Sequence, residues 1–138
     1  MNKLLVLLMT VCSASAASDT VLKACPDKPN CVSSAASGPQ HTPTFKLSPD
    51  KPLNPQLIMQ QLQELEPRIK QQLNENHIRA EIYSRVFNFI DDLDLIIDHQ
   101  QGLIHIRSAA RTGYYDFGVN RRRIEKLRIR LQQAGIIL

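Results

Sequence analysis

The chain lacks an apolar run long enough to cross a bilayer: Leu4 to Val11 covers about eight residues, where roughly 20 are needed. Cysteine is scarce, at three residues, and its spacing excludes two common uses. Cys25 and Cys31 enclose five residues, an interval that matches neither a common zinc-ligand spacing nor the two-residue gap of thioredoxin-like redox pairs. His41, His77 and His99 are scattered without ligand spacing, so no metal or other cofactor is assigned. A nucleophile-elbow sequence is missing. His105, Ser108 and an aspartate therefore read as chance neighbours rather than a triad. No phosphate-loop motif, internal repeat or low-complexity tract occurs, and no catalytic residue is assigned.

What is present begins with a leader. MNKLLVLLMTVCSASAAS has a basic start at Lys3, a short apolar stretch and small residues ending at Ala14-Ser15-Ala16, the layout of a secretory signal peptide cleaved after about Ala16. Lipidation at Cys12 would need a small residue before it, and Val11 stands there, so a lipoprotein is not the expected form. The mature chain is expected to be periplasmic or secreted, without a transmembrane segment. Taking residues 1–16 from 138 leaves 122, enough for one domain that buries about two thirds of its unfolded surface. Cleavage also removes Cys12, leaving Cys25 and Cys31 as a pair in an oxidising compartment, where a disulfide is the natural outcome. Closing a loop of about seven residues contributes roughly 2.4 kcal/mol in the loop-entropy model.

The formal charge is +4, from 17 basic and 13 acidic residues. Its distribution says more than its size. From Gly118 onward six basic residues face one acid, Glu125. Export argues against nucleic acid as a partner, so this basic region points to phosphates, carboxylates or an anionic envelope component.

Residues 17–50 are rich in Pro, Ser, Ala and Thr and read as an extended lead-in pinned by the disulfide, with a short strand at Thr42–Leu47. The α+β domain is expected over 51–138. Asn54-Pro55 supplies a cap and a first-turn proline, and Ile58, Leu62, Leu65 and Ile69 recur at helical spacing until Pro67 ends the helix near Glu66. The period then becomes two. Arg68–Leu73 and His77–Tyr83 read as strands, followed by a strand over Val86–Asp98 with a possible bulge at Asp91-Asp92, then Leu103–Arg107 after the turn at Gly102. A helix over Arg121–Gln133, capped by Asn120, carries Ile124, Leu127, Leu131 and Ala134 on one stripe. The expected architecture is an antiparallel sheet of four to five strands with two helices packed on one face.

The stretch with most chemistry is Arg107–Arg123, RSAARTGYYDFGVNRRR. It holds five arginines around a helix start, where the macrodipole favours acids and each first-turn cation costs about 0.3–1 kcal/mol. Two compensations compete. The acids Asp91, Asp92, Asp94, Asp98 and Asp116 can pair with the arginines internally, or an external anion can, because guanidinium forks bind phosphate and carboxylate bidentately. Internal pairing carries the greater weight as a general matter. The candidate surface for an acidic ligand or anionic envelope partner comprises Arg107, Arg111, Tyr114, Arg121, Arg122 and Arg123. Arg107 alternates away from Ile104 and Ile106 and need not be buried. Gly113 and Gly118 bracket a loop able to offer backbone N–H groups beside the helix. Against this non-enzymatic binding module stand an enzyme for an anionic substrate, with Asp91, Asp92 or Asp116 in acid–base roles, and a structural envelope protein.

The segments Cys25–Ser34 (CPDKPNCVSS), Ser84–Asp98 (SRVFNFIDDLDLIID) and Gly102–Arg128 (GLIHIRSAARTGYYDFGVNRRRIEKLR) make the chain resemble a bacterial family known as domain of unknown function 1499. The resemblance implies an exported or envelope-associated domain and brings no established activity. It departs at Ala110 and Tyr115, where the family often has serine, so hydroxyl chemistry at those positions is not expected.

Overall fold

A computed structural model describes residues 21–138; the leader and Cys12 lie outside the described residues. Helix α1, Pro55–Leu65, begins as its sequence dictates: the Asn54 side chain accepts a hydrogen bond from Gln56 N at 3.0 Å, and Pro55 occupies the first turn. Its apolar spacing turns Ile58 and Leu62 inward, where both are fully buried. After Pro67 the chain enters a meander of β3 (Ile69–Asn74), β4 (His77–Tyr83), β5 (Ile90–Asp98) and β6 (Leu103–Ala110). Every pairing is antiparallel, in the order β3-β4-β5-β6. Helix α2, Val119–Gln133, follows and packs on α1 and on the same face of the sheet.

The lead-in does more than hang from the disulfide. It supplies β1 (Cys31–Ser33) and β2 (Phe45–Lys46), which share the outer edge of β6 and complete a six-stranded sheet. β2 falls within the short strand expected at Thr42–Leu47, and the sixth strand is β1, whose three residues are too few to show periodicity. The Cys25–Cys31 disulfide is formed, with Cα atoms 5.8 Å apart, immediately before β1.

The core lies between helices and sheet. Ile78, Leu93, Leu95, Ile104 and Ile106 from the strands meet Ile58, Leu62, Ile124, Leu127 and Leu131 from the helices, with Phe45 closing one edge. Each such side chain contributes about 1.5–3 kcal/mol on full burial. Among the described residues, no helix lies on the second face of the sheet.

Four local expectations need correction. β5 starts at Ile90, so Phe87 and Phe89 are not strand residues: Asn88 turns the chain at φ 52°, and Ser84 N donates to Phe89 O at 2.8 Å to close a hairpin. No bulge occurs at Asp91-Asp92, since the register with both neighbours is continuous. Asn120 is not the cap of α2. Gly118, in the left-handed region at φ 72°, precedes the first helical residue, and Asn120 is buried in the first turn. Asp116 takes over the capping role: its carboxylate accepts from Gly118 N at 2.9 Å, Asn120 N at 3.3 Å and Asn120 Nδ2 at 2.9 Å. At the other end, Ala134 is an exposed helix terminus and not part of the buried stripe.

Candidate functional site

Strand alternation sends the aspartates of β5 to opposite faces, and this parity divides the arginines. Asp91 points to the helix side and meets Arg123, of which only 5% is exposed. Arg123 is fully engaged. Nε donates to Glu66 Oε1 at 2.9 Å, Nη2 to Asp91 Oδ2 at 2.8 Å, and Nη1 to Asn120 Oδ1 at 2.8 Å and Ser108 Oγ at 3.2 Å. Ser108 in turn donates to Asn120 Oδ1 at 2.6 Å. This network ties α2 to α1, β5 and β6.

The other helix-start arginines also face protein groups. Arg121 donates to Pro39 O at 2.6 Å and His41 O at 3.1 Å, and Arg122 donates to Phe117 O at 2.7 Å. Tyr114 is exposed on the loop before α2. The six residues grouped from the sequence therefore separate: Arg107 and Arg111 reach the helix-free face of the sheet, while Arg121, Arg122, Arg123 and Tyr114 do not join them.

That open face carries a cleft of about 710 Å³. Two cross-strand rows form it. Gln72, Arg79, Asp94, Arg107 and Ser33 lie in register across β3, β4, β5, β6 and β1, and Lys70, Glu81, Asp92, Ala109 and Cys31 lie beside them. Lys23 to Pro26, held by the disulfide, wall one side. Five cations and three acids line the cleft, leaving a formal excess of two positive charges.

The acids are occupied. Arg111 clasps Asp92 through Nε (3.1 Å) and Nη2 (2.6 Å) and also reaches Glu81 at 2.8 Å; Tyr83 donates its hydroxyl to Glu81 at 2.7 Å. The Arg111 and Tyr83 hydrogen bonds hold the Glu81 carboxyl below its ordinary value, and Asp92 and Glu81 raise that of Arg111. Asp94 accepts from His77 Nε2 at 2.8 Å and lies 3.9 Å from Arg79 Nε. Of the acids considered for catalysis, Asp91 and Asp116 lie outside the cleft, and Asp92 is bound by Arg111.

Arg107 differs from all of these. It is on the face expected from its alternation, yet it is buried, with 6% of its surface exposed, because β1 and β5 flank it on both sides at Ser33 and Asp94. Among the described residues its side chain makes no hydrogen bond or ion pair, and its Nε is buried without a partner. Buried charge is stable when paired and costly when not. The cleft thus has a floor made of a cation with unused donors.

Lys23, Lys70, Arg79, Glu81 and Asp94 also line this site although all lie outside the arginine-rich stretch. Their signal was available: Arg79 and Glu81 alternate with Ile78, Ala80 and Ile82, so they must share the face opposite the core. Among the described residues no three His, Cys, Asp or Glu side chains gather as metal ligands.

The fold and the cleft are those of a small exposed-sheet α+β domain. The family described as protein of unknown function (DUF1499) matches residues 21–131, and the chain belongs to that family. The match includes every residue lining the cleft. No curated protein matches the chain.

Proposed function

We propose that this protein is an exported, non-enzymatic binding module that receives an anionic ligand in the cleft on its open sheet face. The observation that carries the reading is Arg107, a buried guanidinium facing a 710 Å³ cleft with its Nε unpartnered. A phosphate or carboxylate would supply the missing acceptors in the bidentate geometry that guanidinium favours. Lys70 and Lys23 add positive charge along the cleft. Binding is favoured over catalysis because the neighbouring acids are engaged by Arg111 and His77. Export rests on the leader sequence and on the disulfide, which persists in oxidising compartments.

Thermal unfolding with inorganic phosphate, citrate and acetylated acidic peptides as probes tests this. A ligand at 100 times its dissociation constant adds about 2.7 kcal/mol of stability, so the unfolding midpoint should rise by several degrees. Arg107→Gln should abolish the rise, and Arg107→Lys should retain part of it. An equal response in wild type and Arg107→Gln, or no response to any probe, contradicts the reading.

A further inference from the structure

The chain has four phenylalanines and three tyrosines, and five of these seven rings are exposed at one end of the sheet. Phe87 and Phe89 sit at the β4–β5 hairpin; Tyr114, Tyr115 and Phe117 sit on the loop between β6 and α2. The two loops leave the sheet side by side. Tyr83 pairs with Ile90, Asp91 with Ala110, and Arg111 N donates to Ile90 O at 2.9 Å. Single exposed apolar residues are ordinary, but a concentration of aromatic ones is not. Among the described residues the ring contacts stay within each loop, Phe87 with Phe89 at 5.5 Å and Tyr115 with Phe117 at 4.9 Å between centroids. Phe87 remains 72% exposed and Phe117 75%.

Phe117 is also held at φ 55°, a left-handed conformation that is costly for a bulky residue. The loop thus maintains an outward ring against local preference. Around the rings the charge is positive. Arg85 is exposed in the hairpin, and Arg122 and Lys126 line a groove with Val119 at the foot of the loop. The single acid in the two loops, Asp116, turns its carboxylate onto Gly118 and Asn120.

We propose that the chain docks on an anionic lipid bilayer through the β4–β5 hairpin and the loop leading into α2. Aromatic rings on two adjacent loop tips enter the headgroup boundary together, where rings with one apolar and one wet side are favoured. The surrounding cations select negatively charged lipid, each being worth about fivefold in partitioning near such a surface. This docking end is separate from Arg107 and does not depend on the cleft being a ligand site.

The chain has no tryptophan, so Phe87→Trp introduces a single reporter. Its emission is expected to shift to the blue with vesicles of phosphatidylcholine containing phosphatidylglycerol, and much less with phosphatidylcholine alone. The shift should require several-fold more lipid at high salt. A Leu138→Trp reporter, placed beside β2 at the opposite end of the sheet, should not shift. Adding Phe89→Ser and Phe117→Gly to the Phe87→Trp chain should weaken partitioning by about tenfold or more, since each ring removed forfeits apolar burial. Glycine suits φ 55° without strain, so this variant should remain folded, as circular dichroism would verify. Arg107→Gln should partition like wild type. No shift at position 87 with anionic vesicles overturns the proposal, as does an equal shift at position 138. A shift produced only by envelope proteins, without lipid, also overturns it and assigns the surface to a protein partner.

Discussion

Replacing Arg123 by leucine and, separately, Arg107 by leucine should change stability in opposite directions, although the two arginines are almost equally buried, at 5% and 6% exposed. Arg123 is held by two carboxylates, an amide oxygen and a hydroxyl. Its loss leaves Asp91, Glu66 and Asn120 short of a donor on the helix side of the sheet. Breaking such a pair by removing one partner costs about 3–5 kcal/mol. Among the described residues the Arg107 side chain has no partner to abandon, and its Nε is already unsatisfied. Leucine there removes a buried unpaired group whose desolvation alone costs about 1–3 kcal/mol. The Arg107→Leu chain should accordingly be as stable as wild type or more so. Urea unfolding followed by circular dichroism measures both, provided the slope is unchanged so that midpoints report stability. In a domain of this size 3 kcal/mol corresponds to a drop of about 10 °C or more in midpoint temperature. If Arg107→Leu loses as much as Arg123→Leu, then Arg107 is a structural cation and the physical basis of the ligand site disappears.

Two further outcomes test the surroundings of these arginines. Because Glu81 titrates below its ordinary value of 4.5 when folded, its contribution to stability is present above that value and is lost as pH falls through the lowered one. A carbon-detected NMR titration should find Glu81 moving up toward 4.5 in Arg111→Gln, and the acid-side loss of stability should become shallower; an unchanged titration would remove Arg111 as the cause. Asp116→Ala should destabilise by about 1–2 kcal/mol, the usual cost of losing a helix cap. Asn120→Ala is expected to cost as much or more, because it also strips acceptors from Ser108 and Arg123. Thermal denaturation of both variants checks the order.

Much of this architecture was legible before folding was considered. The proline and asparagine at 54–55, the helical spacing of Ile58 and Leu62, and the alternation of Ile78, Ala80 and Ile82 are local signals that each element satisfies by itself. The hairpin at 84–89 was misread because Phe87 and Phe89 continue the odd-numbered apolar pattern of β5 arithmetically. The left-handed turn at Asn88 breaks the strand without breaking the pattern. β1 escaped notice because three residues hold no period, and it becomes a strand only when the edge of β6 is there to receive it.

The candidate site was half legible for the same kind of reason. That Arg107–Arg123 is dense in cations, and that these need partners, follows from residue types and a helix start alone, as does the expectation of a Cys25–Cys31 bridge. Which cations find partners does not. Strand parity sends Asp91 and Asp92 to different faces, so Arg123 is neutralised among the helices and Arg111 in the cleft, each by residues distant in sequence. Arg107 is left over because β1 and β5 close around it while Asp94, its neighbour across the strands, accepts from His77 instead. Charge pattern is a property of neighbours along the chain, but pairing is a property of neighbours in space. Only packing the sheet against its helices and its disulfide-held lead-in separates Arg111 and Arg123, which are paired, from Arg107, which is not.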